Sequence, residues 1–213
     1  MIFTPKLLMN SMAFSSKLMA TSIISSIFNN IYPSIIAFFY PNSMNSVADY
    51  TQANKYQDIP FAMISNTFRS ISMLILSEIN QEIERLKRVV SKMQKTIAFI
   101  SFPFGLYMIL VARQVFELLW QEKWLSAVPY FQVLTLAGIV SPFIFVLGEL
   151  YISRERASYF LGIEIVKRII LVLLIWAFIP KGIMGLATSW VVYMYATLFI
   201  SLILSNKLVG YSV

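Results

Sequence analysis

The chain has 213 residues, of which 58% are hydrophobic and only 13% are charged, and its formal net charge is +7. Soluble domains carry roughly 25% charged residues, so this composition excludes an ordinary water-covered surface and indicates that most of the surface faces lipid. The chain has no cysteine and no histidine. This excludes disulfides, thiolate nucleophiles and histidine-based metal or proton-relay sites. We therefore expect no cofactor, no metal and no enzymatic activity.

Long apolar runs predict an all-α, polytopic membrane helix bundle. A hydrocarbon core about 30 Å thick requires roughly 20 helical residues for one crossing. Six predicted spans satisfy this requirement, at residues 18–40, 59–77, 96–113, 125–149, 157–179 and 182–206. We expect them to form a single membrane lobe over residues 1–213. The first span should remain in the mature protein, because it lacks the short apolar core and small-residue cleavage site of a signal peptide.

The first connection predicts a loop outside the membrane. Residues 41–58 are polar and rich in turn-forming residues, and Pro60 is expected near the start of the second helix. Other prolines lie within predicted spans, where each removes a backbone hydrogen bond. They predict kinks near residues 29, 99 and 138, from Pro33, Pro103 and Pro142.

Residues 79–95 predict a cytoplasmic amphipathic helix. Apolar residues recur at steps of three and four, at Ile79, Ile83, Leu86, Val90 and Met93. Charged residues occupy the remaining positions and should face water. One interpretation is a solvated extension of a membrane helix. The other is a contact with anionic lipid headgroups, which attract basic residues.

The distribution of lysine and arginine predicts the orientation. With a cytoplasmic N-terminus, ten basic residues lie inside, at Lys6, Lys17, Arg85, Lys87, Arg88, Lys92, Lys95, Arg154, Arg156 and Lys207. Four lie outside, at Lys55, Arg113, Lys123 and Lys181. Cytoplasmic loops are enriched in basic residues, so both termini are expected in the cytoplasm. The same rule accounts for the positive net charge, and we expect no nucleic-acid partner.

Four charged residues lie well inside predicted spans, away from the span ends, and are the main candidates for a binding site. Charged side chains are costly at the bilayer centre and are either paired or functional. Glu164, Lys167 and Arg168 share one helix face because they are three and four residues apart. With Arg69 they carry a net charge of +2 at mid-depth. We interpret them either as an internal salt bridge or as a cationic lining for a phosphate-bearing anion, facing a water-filled cavity.

Several segments together resemble the C-terminal half of a polysaccharide or O-antigen flippase, a lipopolysaccharide biosynthesis exporter. They are SSKLMATSIISSIFNNIYPSIIAFFY at 15–40, DYTQANKYQDIPFAMISN at 49–66, EINQEIERLKRVVSKMQK at 78–95 and FELLWQEKWLSAVPYFQVLTLAG at 116–138. This family belongs to the multidrug/oligosaccharidyl-lipid/polysaccharide superfamily. The chain departs from the pattern at four positions, where Ser15, Ser16, Thr67 and Leu74 replace helix-bending glycine or proline.

The resemblance implies one six-helix lobe of a two-lobe, multi-pass transporter in the inner membrane of a bacterium. The implied partner is a lipid-linked oligosaccharide, a sugar repeat on a polyprenyl pyrophosphate that is flipped to the outer leaflet. The implied substrate-binding candidates are the four charged residues together with Asn29 and Asn30. A missing N-terminal lobe is expected, which would make the chain a fragment, a truncated reading frame or half of a split transporter.

Two alternatives remain open. A cation-coupled drug or metabolite antiporter of the same superfamily would need a membrane carboxylate that exchanges protons, and Glu164 is the candidate. A membrane enzyme of the polysaccharide pathway would need a large loop carrying acidic residues or histidine.

Overall fold

The structure is a computed structural model that describes residues 31–79, 82–153 and 157–209, and also residues 16, 19, 22, 23, 26 and 28. All regular structure in these residues is helical, with no strand among them. The α-helices are α1 (Ile31–Phe39), α2 (Met44–Glu78), α3 (Ile83–Trp120), α4 (Val128–Ser153), α5 (Ala157–Phe178) and α6 (Gly182–Val209). Short 3-10 turns cover Pro41–Ser43, Gln121–Ala127 and Ile179–Lys181.

Three continuous helical stretches of the described residues are long and apolar enough to cross a membrane: Pro41–Leu76, Ile83–Leu150 and Gly162–Asn206. The chain is therefore a multi-pass helical membrane protein. The sequence predicted six separate spans, and the structure does not support this number. Most of the predicted span 18–40 lies outside the described residues, and the later spans are joined by 3-10 turns into longer helical stretches because the connections are too short for polar loops.

The polar segment 41–58 was expected to be an outer loop, and this prediction is wrong. After the turn Pro41–Ser43 the chain is helical from Met44, and Pro60 lies inside α2 and not near its start. The reason is tertiary packing, since Tyr50, Ala53 and Gln57 are buried against the bundle. Their spacing of three and four residues is a helical period that the polar composition of the segment conceals.

Helix α4 lies at the centre of the bundle and packs against each of the other four long helices. Two glycines permit its closest approaches. A Cβ atom on Gly138 would lie 2.3 Å from Phe61 Cδ2 in α2, and one on Gly105 in α3 would lie 2.3 Å from Ile139 Cγ1. The separation of α4 from both α2 and α3 therefore requires glycine at these two positions. Helices α3 and α4 continue through Pro103 and Pro142.

The amphipathic segment 79–95 includes the first turns of α3, which then continues to Trp120. Its apolar side is buried as predicted. Leu86 and Val90 pack with Leu76 and Leu150, while Met93 packs with its neighbours in a second small cluster. Ile83 is an exception and remains 43% exposed. This part of α3 is thus an extension of the same helix that continues towards the membrane.

Candidate functional site

Helix α5 carries a buried ionic cluster of Glu164, Lys167 and Arg168, hereafter the α5 triad. Glu164 accepts hydrogen bonds at both carboxylate oxygens: Lys167 Nζ lies 3.0 Å from Oε1, and an Arg168 guanidinium nitrogen lies 3.0 Å from Oε2. The three residues are 7%, 5% and 9% exposed. One turn of helix thus holds two cations on one anion, which leaves a net charge of +1 inside the bundle.

The surroundings of the α5 triad are aromatic. The Arg168 guanidinium donates to the Tyr193 hydroxyl over 3.4 Å, and its central carbon lies 5.4 Å from the centre of the Phe28 ring. An aromatic ring face attracts a desolvated cation. These side chains lie on the inner side of the bundle, away from lipid, as the sequence predicted. The expectation that they face a water-filled cavity is not matched, because they are buried among the helices of the chain itself.

Arg69, the fourth predicted residue, pairs with a different partner. Its Nε atom lies 2.9 Å from Oε1 of Glu149, which joins α2 to α4. The Glu149 side chain is 6% exposed, whereas that of Arg69 is 54% exposed. The sequence interpretation missed Glu149, which stands alone at the end of an apolar run. With Glu149 included, Arg69, Glu149 and the α5 triad carry a net charge of +1, whereas the sequence interpretation counted +2 without Glu149.

A column of aromatic side chains extends from the α5 triad across the bundle. Tyr193 packs against Trp190, Trp190 against Tyr32, and Tyr32 stacks on Tyr50 with ring centres 6.5 Å apart. The Tyr32 hydroxyl shares a hydrogen bond of 2.9 Å with the Ser189 hydroxyl. No sequence signal distinguishes these residues, since tyrosine and tryptophan at helical spacing are typical of any membrane bundle. The column ties α1, α2 and α6 to the charged face of α5.

The remaining predicted site residues, Asn29 and Asn30, lie outside the described residues. No group of three or more acidic side chains that could hold a metal ion occurs in the described part of the chain. The candidate site is therefore the α5 triad, with the Arg69–Glu149 pair as a second ionic group on α2 and α4. The α5 triad has an excess positive charge that favours an anion, whereas the Arg69–Glu149 pair is neutral.

Comparison with known proteins gives a consistent set of similarities. Residues 2–129 match the protein family described as "Polysaccharide biosynthesis protein". An uncharacterised membrane protein in the cps region of Klebsiella pneumoniae is 28% identical over 134 residues, which are 62% of this chain and 28% of that protein. The teichuronic acid biosynthesis protein TuaB of Bacillus subtilis is 26% identical over 109 residues, 51% of this chain and 23% of that protein. The matched part thus spans about a quarter of these relatives' length. No solved structure matches the chain significantly.

Proposed function

Because the chain belongs to the polysaccharide biosynthesis protein family, we propose that it acts in export, as part of a flippase for lipid-linked sugar repeats. The substrate would be a short oligosaccharide on a polyprenyl pyrophosphate, moved from the cytoplasmic to the outer leaflet of a bacterial inner membrane. An O-antigen or another surface polysaccharide would be the final product. The chain would be a transporter component and not an enzyme.

The observation that carries the proposal is the net positive charge of the α5 triad within a membrane bundle. A charge placed inside an apolar bundle is costly, and positions of this kind usually pair with or lie close to a substrate charge. The pyrophosphate of the proposed substrate is an anion that this charge attracts; the α5 triad itself is buried, and the half-exposed Arg69 is the cation that is open to contact. Arginine suits phosphate groups because its planar guanidinium donates two parallel hydrogen bonds.

The same geometry does not favour the antiporter alternative. Proton exchange requires a carboxylate that is easily protonated, and both oxygens of Glu164 accept from cations. Glu149 is likewise paired, with Arg69. Both acids are therefore held in ion pairs, and neither is a free carboxylate of the kind that this mechanism needs.

We propose that the helical stretches Ile83–Leu150 and Gly162–Asn206 each cross the membrane twice. A straight helix of 68 residues would be about 100 Å long at 1.5 Å per residue, roughly three bilayer cores. Instead α3 and α4 pack against each other on either side of the turn Gln121–Ala127. The bias in lysine and arginine supports a cytoplasmic start of α3.

A second lobe is the expected protein partner. The matched part of the chain spans about a quarter of its relatives' length. A lipid-linked oligosaccharide also needs a path between two surfaces. We propose that the face carrying Arg69 borders this path. Arg69 lies in the middle of the predicted span 59–77, and its side chain is 54% exposed.

Deletion of the gene in its own host tests the proposal. We expect loss of the surface polysaccharide and accumulation of the lipid-linked repeat in the inner leaflet, where a glycan-labelling reagent added to spheroplasts cannot reach it. A deletion strain that fails to make the lipid-linked repeat would indicate a biosynthetic enzyme instead. Unchanged surface polysaccharide would contradict both roles and favour the antiporter.

A further inference from the structure

A basic groove lies on the outer face of α3, on the side opposite its buried residues. It is a shallow, open depression of about 520 Å³, and all of its lining residues belong to α3: Arg88, Ser91, Lys92, Lys95, Thr96 and Phe99. The three basic residues stand at i, i+4 and i+7, so they form one stripe along the helix. The opposite stripe, Leu86, Val90 and Met93, is buried against the bundle. One face of this helix segment thus packs against the bundle, and the opposite face exposes its basic residues.

The basic residues of the groove form no ion pair with the described residues. Two neighbouring cations have acidic partners, since Arg85 pairs with Glu82 at 3.2 Å and Lys87 pairs with Glu84 at 2.8 Å. In contrast, no carboxylate of the described residues forms an ion pair with Arg88, Lys92 or Lys95. The Arg88 Nε atom donates to the main-chain carbonyl of Glu84. The Glu84 carboxylate also interacts electrostatically with Arg88 over a longer distance. Lys92 and Lys95 therefore contribute most of the positive charge that attracts an anion, with Arg88 beside them.

The groove also lies where the helix changes from charged to apolar. Beyond Lys95 the outer face of α3 is apolar, with Phe99 81% exposed, Leu106 54% and Leu110 77%. The next charged residue along the helix is Arg113. Such a boundary is typical of the level of lipid headgroups, where basic residues meet phosphates and aromatic rings meet acyl chains.

We propose that Arg88, Lys92 and Lys95 bind the phosphate headgroup of an anionic phospholipid, whose acyl chain packs along Phe99. The site is distinct from the α5 triad and does not depend on transport. The amphipathic start of α3 holds the bundle at the headgroup level of the leaflet that is rich in anionic lipid. A free phosphate shares the charge of this headgroup but lacks the acyl chain, so it should bind more weakly.

The test is lipid binding to the purified full chain in detergent, followed by native mass spectrometry. Dioleoyl-phosphatidylglycerol is titrated beside dioleoyl-phosphatidylcholine, oleate and inorganic phosphate. We expect phosphatidylglycerol to bind most tightly. A basic residue near anionic lipid changes affinity about fivefold, so the triple variant Arg88→Gln, Lys92→Gln, Lys95→Gln should bind it on the order of a hundredfold more weakly at low salt.

A matched control removes three exposed lysines elsewhere, as Lys55→Gln, Lys123→Gln, Lys181→Gln, and should bind phosphatidylglycerol like the unmodified chain. Equal losses in both triple variants would overturn the proposal, because they would reflect net charge alone. So would equal binding of phosphatidylglycerol and phosphatidylcholine, or tighter binding of inorganic phosphate. Should the triple variant fail to insert, Lys92→Gln alone is expected to weaken binding about fivefold, and unchanged binding would contradict the site.

Discussion

The two ionic groups of the bundle are built in opposite ways. The α5 triad is local: its three side chains lie within one turn of a single helix and are at most 10% exposed. The Arg69–Glu149 pair joins two helices across 80 residues of sequence, and its arginine is 54% exposed. A buried local cluster is set by the sequence of one helix, whereas the half-exposed pair depends on how α2 and α4 pack. Each group should therefore respond to different perturbations.

The largest effect is expected from Glu164→Gln. Removal of this carboxylate leaves Lys167 and Arg168 buried without their counter-charge, and breaking a buried ion pair on one side costs about 3–5 kcal/mol. Thermal unfolding of the purified variant in detergent, and its level in the membrane, should both fall. The matched control is Glu84→Gln, which removes an exposed carboxylate from an i, i+3 pair with Lys87. Equal unfolding temperatures for the two variants would show that the α5 triad does not stabilise the bundle.

A smaller effect is expected from Gly138→Ala, which perturbs the contact between α2 and α4 and leaves the α5 triad intact. The new methyl group would lie 2.3 Å from Phe61 Cδ2 and 2.5 Å from Gln57 Oε1, so these side chains of α2 must shift. Overpacking of this kind costs about 1–3 kcal/mol. Thermal unfolding in detergent measures the loss. The control Gly162→Ala places a methyl group with nothing within 4 Å and should not lower stability.

The smallest of these effects concerns Arg69 and Glu149 themselves. Because Arg69 is half exposed, we expect a coupling energy of only about 1 kcal/mol between them. A double-mutant cycle with Arg69→Gln and Glu149→Gln in thermal unfolding measures this coupling. Export should be more sensitive than stability to Arg69→Gln if Arg69 borders the substrate path. Loss of stability without loss of export would make the pair purely structural.

The same contrast explains what the sequence could and could not reveal. Composition and long apolar runs are sufficient for a helical membrane protein, and a spacing of three and four residues is sufficient for the contacts of Glu164 with Lys167 and Arg168. The pairing of Arg69 with Glu149 has no sequence signal, because it follows from the packing of two helices. Glu149 stands at the end of an apolar run and could be noticed only as an acid that lacks a local partner.

The prediction of a loop at residues 41–58 was wrong for a related reason. The asparagines, serines and aspartates of this segment favour turns in isolation. The buried positions Tyr50, Ala53 and Gln57 decide the outcome through contacts with distant helices. Helix propensity is a weak preference that tertiary packing can override. The roles of Asn29 and Asn30 in substrate binding remain predictions, as does the role of the α5 triad.

Accessibility of single cysteines tests the membrane arrangement on which both the proposed function and the lipid site depend. The chain has no cysteine of its own, so one introduced residue reports without background. Ser91 lies in the basic groove near the start of α3, and the exposed Ser126 lies in the turn Gln121–Ala127 at its other end. A maleimide that does not cross membranes should label Ser91→Cys only in inverted vesicles and Ser126→Cys only in spheroplasts. Labelling of both residues from the same side would contradict the crossing of α3 and the account built on it.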